Sequence, residues 1–240
     1  MKKESVKTLW IVTWYAIAMG FLEAAVVVYL RYLYYPQGFA FPLRGFIEPA
    51  VLGIEWIREF ATIVMLVTVG MLAGKKFFSK FAYFLYAFAI WDLFYYVFLK
   101  MTLGWPDSLL TPDLLFMIPW PWVGPVLAPV LCALTMIGVA FFLIQSEDNG
   151  KKMRVKADEV FFILLGIAVI LYSWLVDYGR ILIAGGFLRD FFTLATNESF
   201  ATIVAHYMPL PYSWPLFGLG FVLSAVGLVL FYRRTMKARA

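Results

Sequence analysis

Six apolar runs punctuate the chain, at about 9–31, 51–73, 81–103, 123–145, 159–184 and 213–232. Each is long enough to cross a bilayer, which takes roughly 20 helical residues at about 1.5 Å of rise per residue. Lipid offers the backbone no hydrogen-bond partners, so runs of this kind are expected to be helices. A soluble domain of 240 residues could not hide a chain that is 63% hydrophobic and only 15% charged. The expected fold class is therefore all-α: a polytopic membrane helix bundle of about six transmembrane helices, forming one integral membrane domain over residues 1–240.

The punctuation between runs agrees with helix chemistry. Gly74 stands before Lys75 and Lys76, Gly104 closes the third run, Gly185 and Gly186 the fifth, and Arg233 and Arg234 the sixth. Glycine just past a helix end tolerates the left-handed turn that terminates it, and basic residues there suit the negative end of the helix dipole. Pro125 suits the first turn of the fourth helix. The first run continues past Val28, too long for the apolar part of a cleaved signal, and is expected to remain as the first membrane helix.

A net charge of +5 would suggest nucleic acid in a soluble chain, but here the basic residues flank the apolar runs. Fourteen of the 20 Lys and Arg residues fall in the N-terminus, the 74–80 and 146–158 loops and the C-terminal tail. The other six, Arg31, Arg44, Arg58, Lys100, Arg180 and Arg189, lie in or near the opposite half. The positive-inside bias then predicts both termini in the cytoplasm and a multi-pass protein of the cell membrane, a bacterial inner membrane being the expected location, with no nucleic-acid partner. The three segments expected on the outer side, 32–50, 104–122 and 186–212, are long and rich in Pro and aromatic residues. They are expected to lie at the outer interface and form a cap over the helices. The single cysteine, Cys132, sits inside an apolar run, which excludes an intrachain disulfide and CxxC chemistry.

Function is sought in the acids inside the spans: Glu23, Glu55, Glu59, Asp92 and Asp177, with Arg58 and Arg180 beside them. Each charge at a helix centre costs about 2.5 to 3.5 kcal/mol on the insertion scale, so these side chains must be paired, hydrated, protonated or ligand-bound. Counting from the cytoplasmic ends places Glu23 at about 20 Å, Asp92 at about 17 Å and Asp177 at about 27 Å, with Glu59 at a similar height. All lie at mid-membrane or in the outer half, which points to one polar pocket opening outward. Helical phase puts them on faces with small residues, such as Gly20 beside Glu23, and gives the last helix a close-packing face of Gly220, Ser224 and Gly227.

The expected pocket is built by Glu23, Glu59, Asp92 and Asp177 with Arg180, and His206, the only histidine, stands at its mouth. It would bind a cation, a metal or a polar lipid headgroup. A metal held by Glu23, Glu59, Asp92, Asp177 and His206 would be Mg, Ca, Mn or a carboxylate-bound Fe, since the donors are hard oxygens. If the chain is an outer-leaflet enzyme, one of the acids Glu59 and Asp177 supplies acid/base chemistry and Arg180 or Arg58 holds an anionic group. Ion pairing within the membrane is the plain alternative, Glu55 to Arg58 and Asp177 to Arg180 each being one helical turn. Asp107 and Asp113 are expected to cap turns. Two other functions stay open: an accessory subunit of a larger membrane complex or homo-oligomer, and a proton-coupled transporter. Membrane lipids are partners in every case. No nucleotide fingerprint occurs, and one histidine cannot provide bis-histidine haem ligation.

Overall fold

The computed structural model describes residues 1–43, 48–189, 194 and 197–237; Arg44, among the basic residues of the opposite half, lies outside them. The chain order is α1 (Lys3–Tyr34), α2 (Pro49–Ala73), α3 (Phe77–Leu103), β1 (Pro112–Phe116), β2 (Trp122–Pro125), α4 (Leu127–Asp148), α5 (Ala157–Ala184), α6 (Glu198–Val204) and α7 (Trp214–Lys237). Six helices, all but the short α6, are long and apolar enough to cross a membrane. They contain the first, second, third and fifth expected spans and all but one residue of the sixth, with α1 running further than its apolar run because backbone hydrogen bonding continues into the polar Lys3–Thr8 turn. The fourth span is corrected: it begins at Leu127, because residues 122–125 are drawn into a strand.

Helix ends follow the local chemistry. Pro49 occupies the first turn of α2, where its missing N–H leaves no bond unmade. The Ser79 hydroxyl accepts the Lys76 N–H at the start of α3 at 3.0 Å, and the Glu159 carboxylate accepts the Lys156 N–H at the start of α5 at 2.9 Å. At the end of α3, Gly104 takes the left-handed conformation at φ 69°.

The helices sort into two bodies. In the first, α1, α2 and α4 all pack on α3. Gly70 lets α2 close on α3, where a Cβ would stand 2.7 Å from that of Phe84. In the second, α5 packs on α7 through Gly166, Gly220 and Gly227, the small-residue face read from the sequence. A Cβ on Gly166 would lie 2.5 Å from the Gly220 carbonyl oxygen, so the backbones touch, and dispersion between them replaces the hydrophobic drive that lipid cannot supply. Glu159, almost wholly buried, fastens the same pair at its basic end by accepting two 2.7 Å hydrogen bonds from Arg234.

The two bodies are joined at both ends. Near the basic end Phe231 of α7 stacks on Phe78 of α3 and meets Phe142 of α4 edge-on. At the other end β1 and β2 form an antiparallel hairpin, Asp113 opposite Gly124, with an irregularity between Leu114 and Phe116. Its second strand lies on α5: Trp122 stacks on Trp174 with ring centres 5.8 Å apart, and the Trp120 indole N–H donates to the Leu175 carbonyl at 3.1 Å. Gly124 is needed there, since a Cβ would come within 2.9 Å of the Trp174 ring. Aromatic contacts also link the three Pro- and aromatic-rich segments: Phe39 touches Trp105 and Phe41, and Phe41 touches Tyr207.

Candidate functional site: a charged cavity beside an apolar cleft

Three helix faces and one strand converge on a cavity of about 140 Å³. From α1 come Glu23, Val27, Arg31 and Tyr34, spaced by three and four residues so that they share a face. From α2 come Glu55, Arg58, Glu59 and Thr62, again one face, and from α3 Trp91, Asp92, Tyr95 and Tyr96. The first strand contributes Asp113 to Phe116, followed by Met117. Five carboxyl groups therefore surround two guanidinium groups.

Most of these charges are matched inside the cavity wall. Arg58 is ion-paired with both Glu23 and Glu55, donating to the Glu55 Oε2 atom from Nη2 at 2.8 Å and from Nε at 3.0 Å. The Thr62 hydroxyl hydrogen-bonds Glu23 and is also 3.1 Å from the Arg58 carbonyl oxygen. Glu59 accepts the Met117 backbone N–H at 2.9 Å, so the chain just after β1 is tied to α2. Arg31, 7% exposed, lies over the Trp105 ring at 3.8 Å and the Phe39 ring at 4.5 Å and pairs with Asp113 at 3.4 Å. Such stacking holds the guanidinium plane while leaving its edge available. The Tyr96 hydroxyl donates to the other Asp113 oxygen at 3.3 Å. Burial pushes the Asp113 carboxyl up to about 6, against the opposing pull of Arg31, the Leu114 N–H and the Tyr96 hydroxyl.

Two lining groups are left over. Asp92 makes no hydrogen bond or ion pair among the described residues, and the Arg31 Nη1 atom is buried with no acceptor. A second unmatched donor, the Trp91 indole N–H, is buried without an acceptor.

Of the acids singled out in the sequence, Glu23, Glu59 and Asp92 line this cavity together, and Asp177, Arg180 and His206 do not. Asp177 pairs with Arg180 one turn along α5 and accepts the Tyr207 hydroxyl at 2.7 Å and the Leu210 N–H at 3.0 Å. Its height along the helix resembles that of the other acids, but its side chain faces the segment before α7. His206 is exposed, its Nδ1 2.8 Å from the Thr202 carbonyl oxygen. Glu59 is thus separated from the Asp177–Arg180 pair with which acid/base chemistry was expected. Among the described residues no group of three or more His, Cys, Asp or Glu side chains is arranged to hold a metal ion. Sequence reading overlooked Arg31 and Asp113. Asp113 is not a turn cap but a buried strand residue, 2% exposed, paired with Arg31. The usable signal was an arginine in the last turn of α1 with no acid one turn away.

A second, larger space of about 460 Å³ adjoins the first and lies between the two bodies, where α4 and α3 face α5 and α7. Its walls are almost wholly apolar, including Leu85, Phe88, Met136, Ile167 and Leu228. The charged cavity and the apolar cleft share Trp91, Asp92, Leu115 and Phe116. Compared with protein-family models, curated proteins and solved structures, the chain finds no match.

Proposed function

We propose that the chain is a multi-pass protein of a bacterial inner membrane, with both termini cytoplasmic, whose charged cavity opens toward the outer side and receives the polar headgroup of a membrane lipid. The orientation rests on the basic residues at the Lys3, Lys75, Lys151 and Arg233 ends of the spans. The aromatic segments around Phe39, Trp105 and Tyr207 then form the outer cap. The observation that carries the functional reading is Asp92: a carboxylate within a membrane helix, lining the cavity, with no partner among the described residues while Glu23 and Glu55 share Arg58. An ionisable group kept in that setting serves a ligand rather than the fold. A headgroup is favoured over a bare metal ion because the acids are spread around the wall and three of them, Glu23, Glu55 and Asp113, are already ion-paired.

Native mass spectrometry of the protein released from mild detergent tests this. Wild type is expected to retain a lipid, and Asp92→Asn to lose at least ten-fold of that occupancy while remaining monodisperse. Equal occupancy in the two proteins refutes the reading. Stoichiometric Mg, Ca, Mn or Fe in wild type, lost in Asp92→Asn, replaces it with cation binding.

A further inference from the structure

Building on the headgroup reading, we infer that the ligand is an aminophospholipid of the phosphatidylethanolamine class, its zwitterionic head in the charged cavity and one acyl chain in the apolar cleft. Two groups on the cavity wall lack a full set of partners. Asp92 offers a carboxylate without a cation, and the Arg31 Nη1 atom offers a buried donor without an anion, both on the wall of one cavity. An unpaired carboxylate and a guanidinium with a spare N–H beyond its pair with Asp113 match a group that carries both signs, an ammonium for Asp92 and a phosphate for Arg31. Arginine is suited to the second role by its planar fork, already held in place by Trp105 and Phe39.

The chain's place follows from continuity. Asp92 and Trp91 line both spaces, so the charged cavity adjoins the cleft and an acyl chain joined to a head in the first space can pass into the second. The cleft is of ligand size, within the roughly 300–1,000 Å³ typical of small-molecule sites, at about 460 Å³. Its apolar walls suit hydrocarbon and nothing more polar. It also lies along the seam between the helix bodies, with Leu115, Phe116 and Trp122 of the hairpin in its wall.

Binding of dioleoyl phosphatidylethanolamine, dihexanoyl phosphatidylethanolamine and dioleoyl phosphatidylglycerol to the full chain, followed by native mass spectrometry, tests head and tail separately. Wild type is expected to hold the dioleoyl amine lipid at least ten-fold better than either of the others. Asp92→Asn is expected to erase the preference for amine over glycerol heads. Met136→Trp, which fills the cleft, is expected to erase the preference for long over short chains while keeping that for the amine head; Leu228→Trp repeats the test from α7, and size-exclusion profiles report whether each variant is folded. Equal binding of amine and glycerol lipids by wild type overturns the aminophospholipid assignment. Long-chain preference surviving in both folded cleft variants overturns the placement of the tail and leaves the headgroup reading standing. Lipid binding insensitive to Asp92→Asn sinks both.

Discussion

Replacing Arg58 with Met removes the one cation shared by Glu23 and Glu55, which are 7% and 5% exposed. Neither acid has another cation as an ion-pair partner among the described residues; Glu23 keeps only the Thr62 hydroxyl. Breaking a buried pair by deleting one member costs about 3–5 kcal/mol, because the remaining charge is left desolvated or must take up a proton. For a chain of this length about 2–4 °C of melting temperature is lost per kcal/mol, so Arg58→Met should melt roughly 6–20 °C below wild type in the same detergent. The triple variant Glu23→Gln, Glu55→Gln, Arg58→Met removes all three charges together. It should regain most of the loss, ending within about 2 kcal/mol of wild type, since deleting a whole buried ionic group is often close to neutral. Tryptophan-fluorescence melts at pH 7.5 in one detergent distinguish the cases. If Arg58→Met melts within 2 °C of wild type, or if the triple variant is no more stable than the single one, the pairing does not carry the energy assigned to it.

Two further outcomes follow from the same geometry. The Asp113 carboxyl binds its proton more tightly in the folded chain, at about 6, than at its ordinary value of 3.8, so the folded state is favoured by protonation; stability should therefore fall by about 2 kcal/mol as pH rises from 4 to 6, and Asp113→Asn should flatten that slope in pH-resolved melting curves. With Cys132 replaced by Ala, a cysteine at Asp107 should react with an impermeant maleimide on intact cells and one at Lys152 only after permeabilisation; the reverse pattern would invert the assigned orientation.

The helices were legible because bilayer thickness acts on long windows of sequence, where single residues average out. The runs at 51–73 and 159–184 differ from Pro49–Ala73 and Ala157–Ala184 by two residues or fewer at each end. Convergence of Glu23, Glu59 and Asp92 was legible too, from depth together with helical phase. Asp177 shows where that reasoning ends: depth fixes height, but which neighbour a side chain meets depends on the rotation and pairing of helices, and α5 pairs with α7 rather than with α1 to α3. The hairpin escaped because the stretch from Leu114 to Trp122 is apolar enough to pass for an interfacial segment, and Pro119 and Pro121 hide the strand pattern by sitting in its turn. Asp113 went with it, since a strand register, not a helical period, carries that carboxylate to Arg31.

The hairpin has its first strand anchored to one body by Asp113 and, through Met117, by Glu59, and its second strand anchored to the other by Trp122 on Trp174. It is a crossbar over the seam. Prising α5 and α7 away from α3 and α4 loads that crossbar at once, and a link near its tip, the Met117 N–H on Glu59, is itself part of the charged wall. The spacing of the two bodies and the electrostatics of the recess are thereby tied to one short ribbon, so a mutation that loosens the ribbon should alter both at the same time.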